Sequence, residues 1–157
     1  MKHPRPGKVV ALAAALLIAA GAAGCDQIQQ QLTGAKDQGP VLVSLRETLS
    51  SKRSRLSVAV MQGNMDYVPS YLNDMKSTLD SLETQSGKMS LMDGQDLKLK
   101  VASARNVITA AEPFVMQNDV EGVRAQQRSL DQVLFEIDEV LGRAISMVDT
   151  APKSGGS

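Results

Sequence analysis

Histidine and cysteine occur once each in this 157-residue chain, tryptophan is absent, and there are only two tyrosines and two phenylalanines. His3 and Cys25 both lie near the amino terminus, so everything after Cys25 lacks imidazole and thiol. This removes the commonest general base, the usual zinc and haem ligands, Ser-His and Cys-His nucleophile pairs, and any intrachain disulfide. Neither of the common glycine-rich phosphate loops is present, nor is G-x-S-x-G. No catalytic residue, cofactor site or metal site follows from what remains, and the chain reads as a protein that is not an enzyme.

What is present begins with a three-part amino terminus. Lys2, Arg5 and Lys8 form a positive segment, Val9 to Ala20 an unbroken apolar run, and Gly21 to Gly24 a stretch of small residues. That is the plan of a secretory signal peptide, residues 1–24. Roughly 20 residues are needed for a helix to cross the ~30 Å hydrocarbon core, so this run is too short for a permanent span.

The signal ends at Ala22-Ala23-Gly24-Cys25, which resembles the lipobox of bacterial lipoprotein precursors. The resemblance implies that Cys25 takes a diacylglycerol on its sulfur, becomes the first residue of the mature chain and is acylated, with palmitate or a similar chain, at its new amino terminus. Ala22 departs from the family, which prefers a large aliphatic residue there. Several acyl chains, at ~0.8 kcal/mol per buried methylene, anchor far more firmly than one. Asp26 comes next, and in enteric bacteria the family's sorting pattern associates aspartate there with the inner rather than the outer membrane. The resemblance therefore implies a cell-envelope protein, lipid-anchored through Cys25 and facing the periplasm.

Cleavage would remove Lys2, Arg5 and Lys8 and no acidic residue, taking the net charge from zero to −3. A mildly acidic domain is a poor nucleic-acid binder. The 133 residues from Cys25 onward suffice for one hydrophobic core, held by packing alone. Residues 25–39, glutamine-rich, read as a lipidated start and a flexible polar tether with a reach of about 20 Å. Ile28 and Leu32, four apart, allow a helical turn there as the second reading.

From Pro40 the pattern is helical. Helix A, about 40–62, carries Leu42, Leu45, Leu49, Leu56, Ala59 and Val60, interrupted by Lys52, with Pro40 in its first turn and Gly63 as its cap. Helix B, about 66–86, carries Val68, Leu72, Met75, Leu79 and Leu82, with Asp66 as its expected N-cap. Helix C, about 91–117, is capped by Ser90 or Asp93 and carries Leu97, Val101, Ala104, Ile108, Ala111 and Val115. Pro113 inside it predicts a kink, or an end near Glu112. Helix D, about 119–148, carries Val120, Val123, Leu130, Leu134, Ile137, Leu141, Ile145 and Val148. Residues 149–157 read as a disordered tail.

Val60-Met61-Gln62 recurs as Val115-Met116-Gln117, a shift of 55 residues that also superposes much of the apolar pattern of the two halves. Two similar helical hairpins are implied, by duplication or by shared heptad periodicity. Four apolar stripes of this length predict an all-α, four-helix up-down-up-down bundle. An extended coiled-coil hairpin, or a homo-oligomer exchanging helices, is the competing architecture.

Three features stand out as candidates. Arg46, Lys52, Arg53 and Arg55 crowd helix A as a partner surface or a solvated face, and Lys52 either snorkels or marks an opening to a partner. Met61, Met65 and Met116 are expected to gather at the end bearing the A–B and C–D turns. Thioethers suit Cu(I), but without histidine or cysteine in support, gap-filling is the preferred reading. Asp66 and Glu121, at equivalent turns, are read as helix-start charges rather than as acid and base. Two functions survive: a lipid-tethered helical scaffold for another, unidentified envelope protein, or a small-ligand binder with a pocket near Pro113 or the Ala104–Ala111 layer.

Overall fold

The computed structural model describes the backbone of residues 19–150 and the side chains of residues 38–150. The first 18 residues of the expected signal peptide lie outside the described residues, as do 151–157 of the expected tail and the side chains of Cys25 and Asp26. Four helices follow one another: α1 (Ala19–Met61), α2 (Val68–Ser86), α3 (Leu91–Met116) and α4 (Val120–Thr150). Each packs against its two neighbours around a ring, α1 on α2, α2 on α3, α3 on α4 and α4 back on α1. Among the described residues there is no diagonal pairing. The protein is an up-down-up-down four-helix bundle built from two antiparallel hairpins. Among the described residues, no helix is long and apolar enough to cross a membrane.

The stripes read from the sequence form its core. Leu42, Leu49, Leu56 and Val60 of α1 are buried with Val68, Leu72, Met75, Leu79 and Leu82 of α2. Leu97, Val101, Ala104, Ile108 and Ala111 of α3 meet Val123, Leu130, Leu134, Ile137 and Leu141 of α4. Burying such side chains supplies about 1.5–3 kcal/mol for each large aliphatic one. Val140, Ala144, Met65 and Met89 join them from outside the strict stripes. The last two sit in the turns, where helical spacing says nothing about burial.

Several boundaries differ from expectation. The backbone of α1 is already helical from Ala19, where the sequence reads as signal end and flexible tether, and Pro40 lies inside the helix rather than in its first turn. Glutamine, leucine, alanine and lysine upstream of Pro40 are good helix formers, and the helix is engaged before the proline: Gln38 and Gly39 are buried, Gly39 against Val148 of α4. The N-cap position of α2 is Tyr67, without a side-chain cap bond, and not Asp66. Burial of Met65 turns residues 65–67 into a tight bend, with Val68 N–H donating to the Met65 carbonyl at 3.3 Å, and this leaves Asp66 in solvent. Pro69 stays within the first turn, where no N–H is missed. The α3 helix continues through Pro113 to Met116. At its start Ser90 Oγ caps the helix by accepting from Asp93 N–H at 3.2 Å, and the hydroxyl donates to the Asp93 carboxylate at 2.7 Å.

The two hairpin turns share one cap geometry. Gly63 (φ +67°) donates to the Val60 carbonyl at 3.2 Å, and Asn64 to that of Ala59 at 2.9 Å. Fifty-five residues on, Asn118 (φ +54°) donates to Val115 at 3.1 Å and Asp119 to Phe114 at 2.9 Å. Both are Schellman caps, with the left-handed position filled by glycine in one and by asparagine, the next most tolerant residue, in the other. The repeated Val-Met-Gln is thus the last turn of a helix twice over. At the opposite end of the bundle α2 and α3 approach closely: a Cβ on Gly94 would stand 2.3 Å from the Ser86 carbonyl oxygen.

Two outcomes are expected in urea unfolding. Asn118→Gly leaves stability unchanged or raises it, whereas Asn118→Val lowers it by about 1–2 kcal/mol, the left-handed penalty for a side chain that cannot adapt. Gly94→Ala destabilises by about 1–3 kcal/mol because backbone must move, while Gly87→Ala, with only ordinary contacts around its Cβ, does not.

Candidate functional site

The four cations picked out on helix A separate into different environments. Arg46 makes a two-pronged pair with Asp138 of α4, Nε to Oδ1 at 2.5 Å and Nη2 to Oδ2 at 2.6 Å. One heptad later Arg53 Nε meets Asp131 at 2.6 Å. Seven residues forward on α1 match seven backward on α4, as antiparallel helices in fixed register require. Lys52 lies alongside the apolar stripe and snorkels to α2, its Nζ donating to the Asp74 carbonyl at 2.9 Å. Arg55, exposed, has no carboxylate or hydrogen-bond partner among the described residues.

Other seams are closed in the same manner. Lys76 pairs with Glu112 and Arg105 with Asp80 and Glu83 between α2 and α3. Lys100 pairs with Glu136, and Arg143 with Asp96, between α3 and α4. Among the described residues no ion pair joins α1 to α2. That seam instead holds a groove of ≈ 340 Å³, at the end of the bundle carrying the α1–α2 and α3–α4 turns. Arg55 and Val58 line it from α1, Gln62 and Asn64 from the turn, and Tyr67 and Tyr71 from the N-cap and first turn of α2. The tyrosine rings, one helical turn apart, stack at 6.3 Å between centroids with 26° between planes. Val58 is 45% exposed and Tyr67 56%. Among the described residues none of the side chains of Arg55, Gln62, Asn64, Tyr67 or Tyr71 makes a hydrogen bond. The groove therefore combines an apolar floor, an unpaired guanidinium and free amides and phenols.

The α1–α4 seam has a smaller hollow of ≈ 170 Å³ under Phe135, between the two heptad-spaced pairs. Its guanidinium groups are already satisfied. The Asp138 hydrogen bond to Arg46 holds the Asp138 carboxyl below the usual aspartate range and raises Arg46 further above its own, burial opposing both.

Met65 is in the core, while Met61 and Met116 are exposed, so the three thioethers do not share one shielded site. Met89 is buried at the opposite end and Met92 exposed. Asp66 is solvent-facing, and Glu121 pairs with Arg124 along α4 at 2.5 Å. The space beside Ala111 amounts to ≈ 10 Å³, about one water's worth, and so offers a small ligand no room. Sequence reasoning singled out Arg55 but not Tyr67 and Tyr71. The available signal was scarcity: half of the aromatic residues after Cys25 stand four apart beside a turn.

Stability should depend on pH through Asp138. Its carboxyl is depressed in the folded state, so the stabilisation is complete above the unfolded aspartate value near 4 and is lost as pH falls through the folded value. Both side chains are 42% exposed, which limits the pair to below about 1 kcal/mol and makes it salt-sensitive. Asp138→Asn is accordingly expected to lower urea stability slightly at pH 7 and to match the parent at pH 2, with the pH 7 gap shrinking in 1 M salt. Compared with protein-family models, with characterised proteins and with solved structures, the chain finds no match.

Proposed function

We propose that the protein is a membrane-tethered lipoprotein of the cell envelope whose bundle holds another envelope protein, without cofactor or catalysis, at the end remote from its anchor. The observation that carries this reading is the groove between α1 and α2, the seam that has no ion pair among the described residues. An exposed apolar floor beside unpaired polar groups is the composition of a docking surface, a fixed anchor set among directional contacts.

Polarity of the bundle supports the same reading. The amino-terminal part of α1 enters at the end where α2 closes and α3 begins, and the groove lies at the other end, about 25 Å farther along α1 from Gln38 to Arg55 at 1.5 Å per residue. A chain held by Cys25 would thus present the groove away from the bilayer. The packed Ala111 layer, with no cavity of ligand size, weighs against the small-molecule alternative.

Two measurements test this. Intact mass of the protein from envelope fractions should begin at an acylated Cys25, and Cys25→Ser should move it out of the membrane fraction. A product that begins at Met1 or bears a free thiol would reject the anchor. Crosslinking in intact cells should recover one envelope protein reproducibly, and Tyr67→Ser with Val58→Ser should abolish that recovery while leaving the helical melt unchanged. A partner retained by the double variant would remove the groove from the reading.

A further inference from the structure

We propose that the α1–α2 groove takes an extended peptide segment of a partner protein, in which a carboxylate pairs with Arg55 and a neighbouring apolar side chain lies on the Tyr67–Tyr71 stack. This rests on the interaction-module reading and names the chemistry of what the groove accepts.

Charge complementarity selects the sign. The ion-paired arginines and lysines at the other seams are matched to carboxylates of this chain, so they offer an incoming acid only a competition. Arg55 has no such rival among the described residues, and its planar fork accepts a carboxylate with two parallel hydrogen bonds. Lys52, tied to the Asp74 carbonyl, does not line the groove.

Size and hydrogen bonding select an extended conformation. A helix with its side chains is about 10 Å across and satisfies its own backbone, so it has no use for Gln62 and Asn64. An extended segment presents free N–H and C=O groups, and the two side-chain amides each supply both a donor and an acceptor for them. The ≈ 340 Å³ of groove accommodates an acidic residue and an adjacent apolar one, at the small end of the usual range for binding clefts. The stacked tyrosines give that apolar side chain a rigid platform at low conformational cost.

The test uses the purified full chain, immobilised by a carboxyl-terminal tag, against a displayed library of random seven-residue peptides, in parallel with Arg55→Glu. Enriched sequences should place Asp or Glu beside an aliphatic residue or proline for the parent, and Lys or Arg in that position for Arg55→Glu. Synthetic versions of the parent sequences should bind Arg55→Glu about tenfold or more weakly. Since Tyr67 and Tyr71 are the chain's two tyrosines and tryptophan is absent, tyrosine emission reports on this groove, and peptides without aromatics should change it saturably. Arg55 and the rim are exposed, so an unchanged helical melt verifies the variant's fold.

Absence of enrichment, enrichment without acidic residues, or acidic peptides that bind both forms equally or leave tyrosine emission unchanged would each overturn the proposal. Concentration-dependent self-association that changes the emission would overturn it in favour of a second copy as occupant. None of these outcomes depends on acylation of Cys25, so failure of the anchor and failure of the groove remain distinguishable.

Discussion

Four apolar stripes have to leave water together, and with no cysteine after Cys25 no disulfide there can substitute for that packing. A single amphipathic helix of this composition has nowhere to place its leucines, and a single hairpin covers only half of each stripe. Closing the ring α1–α2–α3–α4 buries all four at once, which is why α1 must pack on α4 as well as on α2. Small residues set how closely the ring can draw in: Ala104 and Ala111 on α3 are buried, and Gly94 admits the Ser86 carbonyl.

Around this core the charges are arranged at the seams rather than spread evenly. Pairs such as Arg46–Asp138 and Arg53–Asp131 are partly exposed and contribute little energy each, but their heptad spacing on antiparallel helices admits one register. A slip of α4 by one turn against α1 would separate both pairs while leaving much of the leucine packing intact. The pairs therefore act mainly on specificity, choosing among packings that the hydrophobic term alone would leave close in energy.

The exception among the seams is where the proposed function is placed. Between α1 and α2 no ion pair is made among the described residues, whereas α2–α3 and α3–α4, joined by shorter connections, each carry ion pairs. Side chains freed from that duty can serve another molecule. The α1–α2 turn brings Asn64, Tyr67 and Tyr71 beside Arg55 and Val58, residues on two helices joined at one corner. The α1–α2 corner thus carries both the gap in the charge pattern and the groove.

Much of this was decided by local sequence. The three-and-four spacing of Leu42 to Val60, Val68 to Leu82, Leu97 to Ala111 and Val123 to Leu141 determined four helices and their buried faces, because a helix side chain's direction depends only on its position in the turn. Gly63, Ser90 and the repeated Val-Met-Gln marked the helix ends, since caps are short-range hydrogen bonds. Tertiary structure alone decided which of four similar basic residues stayed unpaired. Arg46, Arg53 and Arg55 are alike as residues, but Asp138 and Asp131 face the first two from 92 and 78 positions away, and no spacing within helix A encodes that. It also decided that Met65 goes inward and Asp66 outward, because a turn has no period from which burial can be read and its geometry is set by the helices that it joins.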